Sequence, residues 1–421
     1  MRSAAWVLIL GLVLAAQWEV LAGGAGGIPA AVLVAGGAAE DATSSNNQVK
    51  IVPTPAGLVV AYAAAAGGIP QVALAVSHDG GARWAPLAEV SSGPVPSRLA
   101  TLARDRAGRL HVIWTRYDGG VGKIYRRIWQ GRWIGPQERI SPESGYAGYP
   151  ALALDSAGHD QVVWYGIRTG GVALTRHASI YEIYYTGFDG RAWSSPLLLS
   201  TGLPDAVNPA LASDPTGRLY AVWYQYDART YQIRYAERSN TWSAPESIFH
   251  TQADEFNPDV TAGADGRVSL AWEHHGPQGS VIEYTQRGGG QWEEPVALSG
   301  GGSSAHHPSV AVTSAGDAYV LWDQEDGQIY LRHRAAGTWE PAVRLTAEGG
   351  NTFPSASPDG AGIDAVWTHA APSGAAVYFV RVGPRTVETS GRTPVWTVGL
   401  AVLAAALLFA VLRLRRHRRA R

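Results

Sequence analysis

The chain has 421 residues, of which 46 % are hydrophobic and 16 % charged, with 50 Gly, 16 Trp, 18 Tyr and no Cys. This composition excludes disorder for most of the chain, and the missing Cys excludes disulfides, thiolate catalysis and Cys-ligated zinc. The net charge of −1 hides six Arg within residues 413–421, so the body is mildly acidic and does not suit a nucleic-acid binder.

Residues 1–22 read as a secretory signal peptide. Arg2 is the charged start, residues 4–16 (AAWVLILGLVLAA) form the apolar run, and Val20-Leu21-Ala22 supplies the cleavage positions.

The body, residues 23–382, is an internal repeat. A Pro, a Gly eight positions on and a Trp six further recur as Pro150/Gly158/Trp164, Pro209/Gly217/Trp223, Pro258/Gly266/Trp272 and Pro308/Gly316/Trp322. Ala100/Gly108/Trp114 and Val49/Gly57/Tyr62 are degenerate earlier copies, and Pro354/Gly362/Trp367 is one residue shorter. Seven copies of about 50 residues fill the body. Each reads as four short strands; in one copy these are 150–154, 160–164, 182–186 and 197–200, with Gly and Asp in the turns between them. The expected fold is all-β, a seven-bladed β-propeller of four-stranded blades. The seventh copy lacks a fourth strand. Residues 29–36 (PAAVLVAG) match the outer strands of other copies and are expected to close the last blade, covering its edge.

Ser77-His78-Asp79-Gly80-Gly81-Ala82-Arg83-Trp84 fits the pattern Ser-x-Asp-x-Gly-x-x-Trp, in the turn before the fourth strand of the first blade. The chain thereby resembles the Asp-box (BNR) repeat proteins, of which sialidases are the best-known members. The resemblance implies a structural role for Ser77, Asp79, Gly81 and Trp84, on the face opposite an active site. Sialidases use three Arg on the substrate carboxylate, a Tyr–Glu nucleophile pair and an Asp acid/base. Their Arg-Ile-Pro motif has its nearest match here in Gly68-Ile69-Pro70, without the Arg.

The turns joining first to second and third to fourth strands are short and uniform. The loops after each Trp and the links between blades are long and varied, which is where a rigid scaffold carries function. The residues preceding each starting Pro should line the central mouth: Tyr149, Asn208, Asn257, His307 and Phe353, with Leu99 and Gln48 in the first two copies. The expected ligand-binding set is Arg116, Tyr117, Tyr149, Asn208, Tyr224, Arg229, Asn257, His274 and His307. Tyr rings cover the apolar face of a pyranose, while amide, carboxylate and guanidinium groups bond its hydroxyls. Glu273, Tyr226, Asp323 and Glu325 are the candidates if the site is catalytic, since paired carboxylates would suit a glycosidase and a Tyr or His base a lyase. His274 and His275 are adjacent, as are His306 and His307; neighbours on an extended segment point to opposite faces, so neither pair shares an ion. A metal would need one His from each pair to converge with Asp254 or Glu255. No metal and no cofactor are expected.

Residues 383–394 read as a polar linker. Residues 395–412 (VWTVGLAVLAAALLFAVL) are 18 residues without a charge, near the lower limit for spanning a bilayer. The Arg-rich tail, 413–421, places that end in the cytoplasm. The expected protein is a single-pass membrane protein whose extracytoplasmic propeller binds a glycan or an envelope protein without catalysis. The alternatives are a sialidase-like glycoside hydrolase or polysaccharide lyase, and an envelope scaffold subunit.

Overall fold

The structure, a computed structural model, describes residues 30–45, 47–167, 181–201, 205–300 and 302–383. The expected signal peptide, apolar span and basic tail lie outside the described residues. Among the described residues no helix is long and apolar enough to cross a membrane.

The second strand of each repeat shows why the fold forms. Sequences such as HVIW, QVVW, YAVW and YVLW are apolar almost without alternation, the signature of a strand covered on both faces. Their terminal rings, Trp114, Trp164, Trp223, Trp272, Trp322 and Trp367, are all buried. Each such strand sits between its own sheet's neighbours and packs against the sheets on either side. Among the described residues the apolar core is accordingly divided into seven clusters, each spanning two sheets. In one, Val59, Ala61 and Leu74 of the first sheet meet Leu102, Val112 and Trp114 of the second.

Among the described residues the strands make seven antiparallel four-stranded units, the first six running from the inside outward in chain order. In the fifth and sixth units the outer strand is split in two around Pro295 and Pro341, which lack the N–H a ladder requires. The innermost strands are Ile51–Thr54, Ser97–Arg104, Ala147–Leu154, Ala206–Ser213, Asp254–Ala262, Ala305–Val312 and Asn351–Asp359. Each touches the next, and the last touches the first, so the units form a closed ring. The seventh unit takes its outer strand from the start of the chain: Val32–Ala38 pairs with Gly374–Val382, with Val32 opposite Phe379. This strand begins later than the 29–36 expected from sequence.

Innermost strands of neighbouring units do not pair with one another, so their edge N–H groups need other acceptors. Side chains supply them at three successive seams. Asp259 Oδ2 accepts from Val310 N at 2.8 Å, Ser309 Oγ from Ala356 N at 3.1 Å and Ser355 Oγ from Lys50 N at 3.0 Å.

The Asp-box turn ties the first unit to the seventh. Ser77 Oγ donates to Asp79 Oδ1 at 2.9 Å and accepts from Gly81 N at 2.8 Å, while Asp79 Oδ1 also accepts from Arg83 N at 2.9 Å. Those hydrogen bonds, the Arg83 N–H first, hold the Asp79 carboxyl below its ordinary range. Trp84 packs on Phe379 with ring centroids 5.3 Å apart. Gly81 has φ +99°, and a Cβ there would stand 2.0 Å from the Phe379 ring.

Candidate functional site

Six of the seven innermost strands, all but Ile51–Thr54, carry a register shift where their starting residues meet the second strand. The residue at the shift is Leu99, Tyr149, Asn208, Asn257, His307 or Phe353, and all six have left-handed backbone with φ between 50° and 56°. Such a conformation costs a non-glycine residue about 1–2 kcal/mol. This bulge leaves the residue out of the ladder and re-aims its side chain.

Five of the six then face a cavity of ≈ 630 Å³ at one end of the ring, namely Tyr149, Asn208, Asn257, His307 and Phe353. Tyr224 also lines it. Leu99 and Gln48, expected beside them, are not in the lining. Leu99 is buried, and the Gln48 amide is drawn into the ring, where Nε2 donates to Pro150 O at 2.8 Å. Ser44 and Ser45 take their place.

The remaining wall is aromatic. Tyr165 stacks on Tyr149 with centroids 5.0 Å apart, and Tyr181 meets Tyr165 edge-on at 5.0 Å. Across the mouth, Tyr224, Tyr231 and Phe256 form a second cluster with centroid distances of 5.0 to 5.5 Å. His307 lies against Phe353 at 4.2 Å. Burial, followed by the neighbouring phenols, holds the Tyr165 hydroxyl far above the ordinary tyrosine range, and burial raises Tyr149 and Tyr224 as well. These phenols are neutral hydrogen-bonding groups at physiological pH. Among the described lining residues Asp205 is the one carboxylate, and there is no Arg or Lys.

A polar chain runs beneath the aromatic wall. Asn208 Nδ2 donates to Asn257 Oδ1 at 2.6 Å, and Asn257 Nδ2 donates to Glu273 Oε1 at 2.7 Å. Glu273 Oε1 also accepts the backbone N–H of His307 at 2.8 Å. On its other oxygen, Oε2, it faces His275 Nε2 at 2.9 Å and His306 Nδ1 at 3.3 Å. Burial acts to raise the Glu273 carboxyl, but the bonds to His275 and His306, with His307 and Asn257, hold it well below the usual range. Glu273 is 2 % exposed, so this catalytic candidate is a buried, hydrogen-bonded carboxylate rather than an open one. Asp323 is similarly engaged, accepting from Phe353 N at 3.1 Å and facing His307 Nδ1 at 2.9 Å. Glu325 is exposed and accepts from Ser304 N at 3.3 Å. Tyr226 packs against Tyr231 at 5.4 Å, outside the cavity lining.

Four expected ligand contacts lie away from the cavity. Arg116 is turned onto Asp118, with Nε 2.7 Å from Oδ1. Tyr117 is half-buried beside Tyr146 and Tyr149, and Arg229 is exposed in the Asp227–Thr230 turn. His274 points to the other side of its strand from His275, onto Glu255 Oε1 at 2.9 Å.

Sequence reasoning missed Asp205, Tyr231 and Phe256. Tyr231 Oη donates to Asp205 Oδ2 in a short hydrogen bond, and both line the cavity. The available signal was the aromatic that opens the third strand in two adjacent copies, Tyr181 and Tyr231.

No family model matches the chain, and no curated protein is detectably similar to it in sequence. Solved structures do match. A polysaccharide lyase of family PL25, an ulvan lyase, superimposes with a TM-score of 0.57 at 12 % identity, over 85 % of this chain and 98 % of that one. The same lyase bound to -[GlcA(1-4)Rha3S]- gives 0.56 at 11 % identity, over 85 % and 98 %. A protein of unknown function from Dyadobacter fermentans DSM 18053 gives 0.53 at 13 % identity, over 68 % of this chain and 95 % of that one. At these identities the likeness establishes the fold: this chain is a β-propeller of four-stranded antiparallel sheets, an architecture found among carbohydrate-active proteins.

Proposed function

We propose that this chain is a glycan-binding propeller, held outside the cytoplasm by a single C-terminal membrane span, which recognises a saccharide at its mouth without turning it over. The observation that carries the reading is the mouth itself. Its ≈ 630 Å³ lies within the ~300–1,000 Å³ usual for small-ligand sites. Tyr149, Tyr165, Tyr224 and Tyr231 offer ring faces to a pyranose, and Asn208, Asn257, Ser45 and Asp205 offer the hydrogen-bonding groups its hydroxyls need. The saccharide-bound ulvan lyase is a propeller of similar shape, which adds support. The membrane part of the reading rests on the sequence, with 1–22 as the cleaved signal, 395–412 as the anchor and 413–421 as the cytoplasmic tail.

The test is a glycan array probed with residues 23–382, followed by affinity measurement on the retained saccharide. Tyr149→Ala and Tyr224→Ala are expected to weaken binding about fivefold or more, each losing one stacking face worth ~1 kcal/mol or more. An array that retains nothing, or affinities indifferent to both changes, would overturn the proposal.

A second reading, sialidase-like hydrolysis or polysaccharide elimination, draws on the Tyr231–Asp205 pair. A tyrosine hydroxyl bonded to a carboxylate at the mouth has the form of an activated nucleophile or base. Turnover of sialosides, glycosides or uronate polysaccharides that vanishes in Tyr231→Phe would favour it over binding alone.

A further inference from the structure

Two groups of metal-ligating side chains lie on opposite sides of the strand Val268–Gly276: Glu273 with His275 and His306, and Glu255 with His274 and Glu283. In each, the donor atoms fall within 4.8 Å of one another. They differ in what the carboxylate already holds. Glu255 accepts from Thr251 Oγ1 at 2.6 Å on one oxygen and from Trp272 Nε1 at 2.7 Å on the other, so both are occupied. Glu273 keeps its two conventional donors, Asn257 Nδ2 and His307 N, on Oε1 alone. Its Oε2 is turned toward two imidazole nitrogens.

We propose that Glu273 Oε2, His275 Nε2 and His306 Nδ1 form a binding site for one divalent transition-metal ion, zinc by its donor set. Two imidazoles and one carboxylate, drawn from adjacent blades, are a ligand set that keeps a fourth position open for water or a substrate oxygen. The spacing suits it. Tetrahedral bonds of ~2.0–2.1 Å place ligand atoms about 3.3 Å apart, against 2.9 Å and 3.3 Å for the two carboxylate–imidazole distances here. Without an ion, both nitrogens must carry a proton to bond the same oxygen; an ion replaces those protons with a single electrophile. Asn257 and the His307 N–H fix the carboxylate from behind, the support that metal-bound carboxylates regularly have. Both histidine side chains are 35 % exposed, so an ion has a way in. His275 touches Phe256 and His306 touches His307, both in the cavity wall, which puts the ion at the cavity rim. The site stands independently of which saccharide, if any, fills the mouth.

The test uses the full chain without an affinity tag, stripped with a chelator and titrated with Zn²⁺ against a chromophoric competitor. One saturable ion per chain is expected at the rim. His275→Ala and His306→Ala should each weaken it beyond the ~10–100-fold that losing a ligand's hydrogen-bonding partner costs. His274→Ala should leave it unchanged. Co²⁺ added to the unaltered chain should give the intense visible bands of a four- or five-coordinate ion, a readout that depends on no variant's folding. Absence of saturable Zn²⁺ binding, binding lost in His274→Ala but kept in the other two, or the weak bands of six-coordinate Co²⁺ would each overturn the proposal.

Discussion

The backbone N–H of His307 donates to Oε1 of Glu273, 34 residues earlier and one blade back, at 2.8 Å. The same relationship repeats at the next seam, where Phe353 N donates to Asp323 Oδ1 at 3.1 Å, and again where Thr43 N donates to Thr368 Oγ1 at 2.9 Å. Glu273, Asp323 and Thr368 each directly follow the buried Trp of a second strand. Two of the acids that looked like catalytic carboxylates therefore each receive the backbone N–H of the mouth residue of the following blade.

Asp323→Ala tests this contact. The change strands the Phe353 N–H and removes the partner of His307, so a loss of ~1–3 kcal/mol is expected in denaturant unfolding. Unchanged stability would show that the seam does not depend on this acceptor.

Gly81→Ala should destabilise the first and seventh blades together. The methyl meets Phe379, and φ +99° is strained for any side chain. A cost of ~2–4 kcal/mol is expected. Phe379→Ala in the same chain should recover part of it, giving a coupling energy in a double-mutant cycle. Strict additivity would place the cost in the backbone alone.

Lys50 is 1 % exposed, and its ammonium donates to Ser44 O, Gln48 Oε1 and Ala100 O at 2.6 to 2.7 Å. Lys50→Met leaves the Ser44 and Ala100 carbonyls without this donor and Gln48 Oε1 with Ser45 N alone, and should cost ~3 kcal/mol or more. Burial holds the lysine well below its ordinary 10.5, with Asp41 opposing weakly. Between that lowered value and 10.5 the unfolded chain binds the extra proton, so stability rises with pH across this window. Melting curves taken from pH 7 to 10 should show the rise in the parent and a flatter profile in Lys50→Met.

Asp259 gives the opposite slope at lower pH. Burial pushes its carboxyl up from 3.8 to about 7, although Val310 N and Val260 N donate to it. Between these values the folded chain holds a proton that the unfolded chain has lost, so stability falls as pH rises from about 4 to 7. Ser309 and Ser355 receive the equivalent N–H without any charge. Asp259→Ser should therefore raise stability at pH 8, change it little at pH 4 and remove the slope; a retained slope would place the titration elsewhere.

Much of the architecture was legible because its causes are local. The Pro–Gly–Trp spacing recurs because every copy solves the same problem: a bulge, a turn that needs positive φ (Gly158, φ 81°, with its N–H on Asp155 O), and a strand covered on both faces. The mouth residues were legible for the same reason, since Tyr149, Asn208, Asn257, His307 and Phe353 share one position before Pro. Where that Pro is missing, as after Leu99 and Gln48, the inference failed. Arg116 and Arg229 lay on the varied loops as expected, but Arg116 is paired with Asp118 and Arg229 stands out in solvent. Their distance from the cavity depends on rotamer and loop shape, which residue type does not specify.

The sequence by itself determined the repeat, the all-β class, the strand periodicity and the alternation that sends His274 and His275 to opposite faces. These follow from sterics and burial within about 50 residues. Tertiary structure alone decided that His275 and His306 meet on one oxygen of Glu273, that Tyr231 meets Asp205, and that Glu273 is buried rather than open. Such meetings depend on the relative rotation of neighbouring sheets and on closure of the ring through Val32–Ala38, constraints imposed by packing between blades and carried by no single segment.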